Sequence, residues 1–381
     1  MKTVFAYIDS INEMDFQKDV ILTPSYLAKH LECSCDLYYG QTTSSTVLPD
    51  KFRNVTLHNI NKKPRTISYY MCLLGELVRN HKYIEFLLTF HLSTHIIIYT
   101  FILKLLNSKS QVWVLGDMNK DVAEELCNHE FVYSRGLKGA IKKIIISLFF
   151  HTVDVFSLET RQNYNMFLPV FNKNGWKSLR YYPCSWDEDN IYSKKINIDA
   201  KENIILSCAR FGTYQKNTEM LLEALSKLIF HDWKVYLVGP ITNGFDLGKN
   251  IEFEKYINNF FKNNPNLKSR VIFTGPVFDT KELFAYFQKA KVFVMTSRFE
   301  GFGNVFAQAR WNRCHIVSTD VGGACDMSNQ WEWGHEVPQE DSTELYKILQ
   351  DIINNGCELP SEEFSISISY NYTIQNYILN E

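Results

Sequence analysis

This sequence predicts an α/β chain of two Rossmann-like domains, on three observations. Its 381 residues exceed one ordinary domain of roughly 100–200 residues. Short β-branched or aromatic runs alternate with longer stretches of helical period, the pattern of parallel sheets covered by helices. In the second half, successive strand candidates recur near the roughly 30 residues that a strand–helix–strand unit needs.

Composition bounds the function. With 45% hydrophobic and 22% charged residues the chain can fill two cores. The 27 Phe and 21 Tyr read first as core packing; stacking on sugars or bases cannot be assigned from counts. A net charge of -2 gives no basic field for nucleic acid. Nine scattered cysteines, an odd number with no CxxC pair, predict reduced thiols in a cytoplasmic protein, and no Cys/His cluster has the spacing of a zinc site. The N-terminal run Met1-Lys2-Thr3-Val4-Phe5-Ala6 is too short for a leader and reads as a first strand.

In the first half, strands are predicted at 4–8, 36–39, 84–90, 111–115, 153–158 and 178–182, with helices at 20–31, 68–78, 94–106 and 138–150. The apolar run 86–106 approaches bilayer-spanning length, but His91, Ser93, His95, three threonines and Lys104 would be costly in hydrocarbon, so a strand followed by a helix is expected. In 138–150, Lys138, Lys142 and Lys143, with Arg135 just before, border a strongly apolar face. Two readings stay open there: a helix lying on an anionic membrane surface, or a core helix with a solvated basic edge.

The second half repeats the alternation more cleanly, with strands at 203–209, 234–239, 270–274, 292–296 and 315–319 and helices at 216–229, 251–262, 280–289 and 304–313. The turn Tyr182-Pro183-Cys184-Ser185-Trp186-Asp187 and the polar stretch 188–202 place the domain boundary near residue 190.

Four features fall at the C-terminal ends of predicted strands in this half, where open parallel sheets bind ligands. Ala209-Arg210-Phe211-Gly212, followed by Lys216-Asn217 at a helix start, sets two cations beside backbone N–H groups, an arrangement suited to a diphosphate. Ser297-Arg298-Phe299-Glu300-Gly301-Phe302-Gly303-Asn304 offers glycines for close backbone approach and a carboxylate that accepts from sugar hydroxyls. Gln308 lies one turn beyond Asn304 on the same helix face. Asp320-Val321-Gly322-Gly323 allows either a close backbone approach or a plain tight turn. No P-loop, no GxGxxG after the first strand and no HExxH occurs, and no paired carboxylates of hydrolytic type stand out.

Taken together, these blocks resemble the donor-binding half of the retaining GT-B glycosyltransferases of family four, specifically over 203–350 and loosely over 1–190. The segment Ile204 to Phe211 with Lys216 resembles the family's strand–GRL–KG block. Val271-Ile272-Phe273-Thr274-Gly275-Pro276-Val277 resembles its V-x-F-x-G-x-V block, Glu300 to Ala309 its E-x7-E block, and Ser318 to Gly323 its DVGG block.

The resemblance implies a GT-B fold, two Rossmann-like domains facing across a cleft. Residues 1–189 would be the acceptor side, 190–365 the nucleotide-sugar donor side, and 366–381 a segment packing back toward the N-terminal domain. It implies that Arg210 and Lys216 bind the donor diphosphate and that Glu300 holds donor-sugar hydroxyls. The backbone of Gly301, Phe302, Gly303 and Asn304 would fix sugar and phosphates, and the main chain at Pro276 and Val277 would line the base. No metal or cofactor is implied, because cations and helix ends neutralise the leaving group.

Three departures stand out. Gln308 replaces the ribose-binding Glu; Asn217 replaces a Gly; and Ile8-Asp9-Ser10-Ile11-Asn12 stands where a glycine-rich loop is usual. His91, at the end of strand 84–90, is the acceptor-side candidate, with His95 its rival and Asp117 a weaker one. The expected activity is transfer, with retention, of a hexose or N-acetylhexosamine from a nucleotide diphosphate sugar to a hydroxyl of a glycan or lipid-linked glycan. The setting would be surface polysaccharide or glycoconjugate assembly, in the cytoplasm or peripheral on the inner face of the cell membrane. The alternative is a non-catalytic GT-B glycan-binding or partner subunit.

Overall fold

The computed structural model describes residues 2–40, 48–132, 136–190, 196–243 and 248–380. Arg135 and part of the stretch 188–202 lie outside the described residues. The chain forms two compact units, Met1–Asp187 with Ser369–Glu381, and Glu188–Ile368.

The first unit runs β1 (Thr3–Ile8), α1 (Asp19–His30), β2 (Ser34–Tyr39), β3 (Lys51–Phe52), β4 (Val55–Asn59), α2 (Ile67–Asn80), β5 (Ile84–Phe90) and α3 (Thr94–Leu106). It continues with β6 (Gln111–Gly116), α4 (Lys120–Asn128), α5 (Gly136–Thr152), β7 (Val155–Leu158), α6 (Arg161–Asn174) and β8 (Leu179–Tyr181). Its sheet order is β3-β4-β2-β1-β5-β6-β7-β8, parallel except for β3 against β4. Alternate residues feed opposite faces. Phe5, Tyr7, Leu87, Val112 and Val114 pack under helices α2, α3, α5 and α6, whereas Val4, Ala6, Phe86, Leu88 and Trp113 pack toward α1. The run 86–106 divides as expected into β5 and α3, and among the described residues no helix is long and apolar enough to cross a membrane.

The second unit runs β9 (Glu202–Cys208), α7 (Thr218–Ser226), β10 (Lys234–Val238), α8 (Ile251–Asn263), β11 (Val271–Gly275), α9 (Thr280–Lys289), β12 (Ala290–Met295), α10 (Asn304–Trp311), β13 (His315–Thr319), α11 (Ala324–Met327), β14 (Gly334–Val337), α12 (Ser342–Asn355) and α13 (Glu362–Ile366). Its sheet, β11-β10-β9-β12-β13-β14, is parallel throughout. A final helix, α14 (Tyr370–Ile374), belongs to the first unit, where Tyr370 stacks on Tyr26 at 5.0 Å and Ser185 Oγ lies 2.6 Å from Thr373 Oγ1.

Some elements differ from expectation for local reasons. The helix expected at 216–229 begins only at Thr218, because Asn217 takes a left-handed conformation (φ 44°, ψ 49°) after a short 3-10 turn. The helix expected at 304–313 stops at Trp311, and Arg313 turns to φ 56°. β4, α4, α6, β14 and α12 had not been anticipated. All nine cysteines are free thiols.

Candidate donor site and acceptor-side groups

In the second sheet the strand order reverses between β9 and β12, the switch point at which open α/β sheets form a ligand crevice. The loops leaving these two strands carry Arg210 and Lys216 on one side and Glu300 on the other. Lys216 Nζ lies 2.5 Å from Glu300 Oε1, with the side chains only 11% and 8% exposed. Thr296 Oγ1 donates to the carbonyls of Lys216 and Asn217 at 3.2 and 3.0 Å, fastening the two loops at their base.

Gln215 completes the arrangement and was not anticipated. Its Oε1 accepts from Arg210 Nη2 at 3.2 Å, and its Nε2 donates to Glu300 Oε2 at 3.2 Å and to the Phe299 carbonyl at 3.0 Å. One amide thereby joins the Arg210 guanidinium to the carboxylate that Lys216 neutralises. Nothing in its sequence position marks it, since a Gln before a Lys is ordinary.

The glycines of the following loop have separate tasks. Gly303 (φ 83°) caps α10 in a left-handed conformation. The helix N-terminus presents backbone N–H groups just beyond it. Gly322 (φ 54°) serves the protein itself: a Cβ there would stand 2.4 Å from the Phe302 carbonyl oxygen. The 320–323 block thus packs closely against the 301–302 loop of the protein itself.

Gln308 is half-buried on α10, and its Oε1 is buried with no hydrogen-bond partner. Such a group in a folded protein calls for an explanation, and a hydrogen bond from a ligand is one. Pro276 and Val277 follow β11, two strands from β9 on the same edge of the sheet. They share that edge with Arg210, Lys216 and Glu300 without joining their hydrogen-bonded group.

His91 belongs to the first unit. It follows β5 with φ 62°, its N–H bonded to the Leu115 carbonyl at 2.8 Å and its Nδ1 3.3 Å from the Asp117 carbonyl oxygen. Three carboxyls gather near it from separate elements. Burial and the adjacent Asp117 carboxylate push Asp19, at the start of α1, up to about 6, against the opposing pull of the Val20 N–H and His91. Burial, then Asp117 and Asp19, raise Glu159 well above the ordinary range. A hydrogen bond with Asp117 adds to the upward shift of Glu159. Asp19 and Glu159 were missed because residues so far apart in sequence give no local signal. Among the described residues no group of His, Cys, Asp and Glu is placed to hold a metal ion.

Comparison with known proteins bears on both units. Residues 202–355 match the family described as Glycosyl transferases group 1. No curated protein matches the chain's sequence. Among solved structures, Anabaena HepE in complex with UDP is similar at TM-score 0.60 and 14% identity, over 99% of this chain and 96% of that one. Sucrose-phosphate synthase from Thermosynechococcus elongatus is similar at TM-score 0.60 and 17% identity, over 98% and 93%. The lipopolysaccharide outer core galactosyltransferase WaaB in its apo form is similar at TM-score 0.61 and 12% identity, over 99% and 98%. At these identities the likeness shows the fold, which is GT-B with two Rossmann-like domains. The family match falls within the second unit.

Proposed function

We propose that the chain is a retaining glycosyltransferase that moves a hexose or N-acetylhexosamine from a nucleotide diphosphate sugar to a glycan hydroxyl. The first unit would serve the acceptor and the second the donor. The observation that carries this reading is the group Arg210–Gln215–Glu300–Lys216 at the switch point of the second sheet, beside the N-terminus of α10. HepE has been crystallised with UDP and with UDP-glucose, which supports a nucleotide sugar as the donor class.

In this reading Arg210 and Lys216 take up charge that accumulates on the diphosphate as it departs, assisted by backbone N–H groups of 301–304. Glu300, oriented by Lys216 and Gln215, accepts from hydroxyls of the donor sugar. Gln308 meets the ribose with its unpartnered Oε1, and the main chain at Pro276 and Val277 lines the base. His91 serves the acceptor side. These groups supply the neutralising charge without a metal or cofactor. The test is donor binding and nucleotide release in metal-free buffer, set out at the end of the Discussion.

The acceptor would be a glycan or lipid-linked glycan of surface polysaccharide or glycoconjugate assembly, met at the inner face of the cell membrane. α5 supports this. Only its Gly139, Phe149 and Phe150 are buried, whereas Leu137, Ile141, Ile144 and Leu148 are 79%, 51%, 60% and 55% exposed along one stripe. Phe149 and Phe150 anchor the helix in the first unit's core, and the stripe lies on its outward side. Exposed Lys138 and Lys142 flank the stripe, as does Lys143, which also binds Glu130 at 2.8 Å. An apolar stripe edged by lysines suits an anionic lipid surface.

A further inference from the structure

Arg298 stands two residues before Glu300 in the loop that follows β12, and its contacts go to the loops that follow β9 and β14. Its backbone N–H donates to the Gln215 carbonyl at 2.8 Å, and its Nη1 donates to the Tyr214 carbonyl at 2.6 Å. Those carbonyls belong to the two peptide groups on either side of the Gln215 Cα. Each peptide is planar, so holding both carbonyls fixes the direction in which the Gln215 side chain leaves the backbone. That side chain is the amide that joins Arg210 to Glu300.

Arg298 is held in turn. Its Nε and Nη2 donate to the two carboxylate oxygens of Glu340 at 2.6 and 3.2 Å, a two-pronged pair that sets the plane of the guanidinium. The same group lies 4.3 Å from the centroid of the Tyr214 ring. Glu340 follows β14 with φ 59°, a left-handed backbone that a residue with a side chain keeps only where its surroundings impose it. The hydrogen bond from Arg298 holds its carboxyl below the ordinary value against slight burial, helped by a second from Asn217, the residue after Lys216. Beside it, Gln339 Nε2 donates to the Ser297 carbonyl at 3.2 Å. The Glu340 side chain is 58% exposed, and an ion pair so open to water adds little stability. Its effect is to fix geometry.

We propose that Arg298, braced by Glu340, is a positioning residue of the donor site, aiming the Gln215 amide so that Glu300 faces the donor sugar in one orientation. The inference rests on the glycosyltransferase reading above and goes beyond it, since neither side chain is among the groups assigned to the donor there. Lys216 pins the Glu300 carboxylate through Oε1 alone, and a carboxylate held at one oxygen can turn about that contact. Gln215 supplies the second point, at Oε2, and Arg298 decides where Gln215 stands. A supporting residue of this kind acts on rate more than on binding, because a small misplacement of a reacting group is felt most in the transition state. A lysine at 298 would keep the charge and lose the planar fork that serves Glu340 and the Tyr214 carbonyl together.

A double-mutant cycle on the full-length protein tests this, reading nucleotide release from UDP-, GDP-, ADP- and dTDP-glucose, with thermal unfolding as the check on fold. Arg298→Ala is expected to lower kcat roughly tenfold to a hundredfold. Affinity for the matching nucleoside diphosphate should change by less than about threefold. Arg298→Lys should lose nearly as much rate as Arg298→Ala, and Glu340→Gln part of it. Because Arg298 acts through Gln215, the double variant Arg298→Ala/Gln215→Ala should be no slower than Gln215→Ala alone, whereas independent roles would multiply. Hydrogen–deuterium exchange of the ligand-free protein reads the positioning without turnover: peptides covering 211–217 should exchange faster in Arg298→Ala and Glu340→Gln than in the wild type. Losses that multiply in the double variant, wild-type kcat in Arg298→Ala, or unchanged exchange over 211–217 would overturn the proposal. Failure of the wild-type protein to release nucleotide from any donor would count against the transferase reading instead, and exchange over 211–217 would still decide on Arg298.

Discussion

Lys216 Nζ stands 2.5 Å from Glu300 Oε1, with both side chains about nine-tenths buried, so each residue holds the charge of the other in place. Removing one partner strands the remaining charge. Lys216→Ala and Glu300→Ala are each expected to lose about 3–5 kcal/mol of stability, and turnover should fall about a hundredfold or more. The double variant Lys216→Met/Glu300→Gln should recover much of the stability and none of the turnover. Gln215→Ala should lower turnover with the fold retained. Urea denaturation and steady-state rates on the same samples separate the two effects; near-normal rates in either alanine variant would remove that residue from the mechanism.

Gln308 offers a second handle. Its buried Oε1 lacks a partner, and a carboxylate there would accept from both ribose hydroxyls. Gln308→Glu is expected to tighten nucleotide-sugar binding several-fold, as a gain of about 1 kcal/mol implies. The ligand-free variant should be less stable, because it buries an unpaired charge. Calorimetric titration checks this; unchanged or weaker affinity would place the ribose elsewhere.

Membrane docking through α5 makes a third prediction. The wild-type protein should float with anionic liposomes and not with neutral ones. Lys138→Glu/Lys142→Glu/Lys143→Glu should abolish flotation, since each lysine near an anionic surface contributes about 1 kcal/mol. Absence of wild-type flotation would sink the reading.

How far the sequence foretold these sites depends on whether the signal is local. The strand-end positions of Arg210, Lys216 and Glu300 were legible because β9 and β12 carry clear apolar runs and the loops after them carry the glycines. That Lys216 would bind Glu300, and that Gln215 would join both to Arg210, is a contact across 84 or 85 residues of chain and leaves no mark in either segment. Asp19, Asp117 and Glu159 illustrate the same limit, since each looks solvated until the fold brings them together. The chain around β4 was missed because a five-residue strand beside a two-residue one carries too little pattern. For α5 the letters left two readings open. Its apolar residues fit a core helix equally well, and only the packing shows that the stripe faces outward.

Acid should weaken the protein through His315. Burial, and to a lesser degree His335 at 2.9 Å, lower its pKa to about 4, against a pull upward from the Glu358 carbonyl. The unfolded chain takes up this proton near 6.5 while the folded protein resists. The contribution is therefore intact above pH 6.5 and is lost as pH falls toward 4, amounting to on the order of 3 kcal/mol. His315→Asn should be less stable at pH 7 and show a flatter decline between pH 6.5 and 4 in urea titrations. An equally steep decline would assign the acid sensitivity to other groups.

The measurement that bears most directly on the central claim is a screen of purified protein against UDP-, GDP-, ADP- and dTDP-sugars in metal-free buffer, reading thermal shift and nucleotide release together. The account predicts stabilisation by one nucleotide sugar with slow release of its nucleotide, both lost in Lys216→Ala and Glu300→Ala. Binding without release, even with candidate acceptors added, would identify a non-catalytic partner, and no binding to any donor would contradict the assignment of the Arg210–Gln215–Glu300–Lys216 group as a donor site.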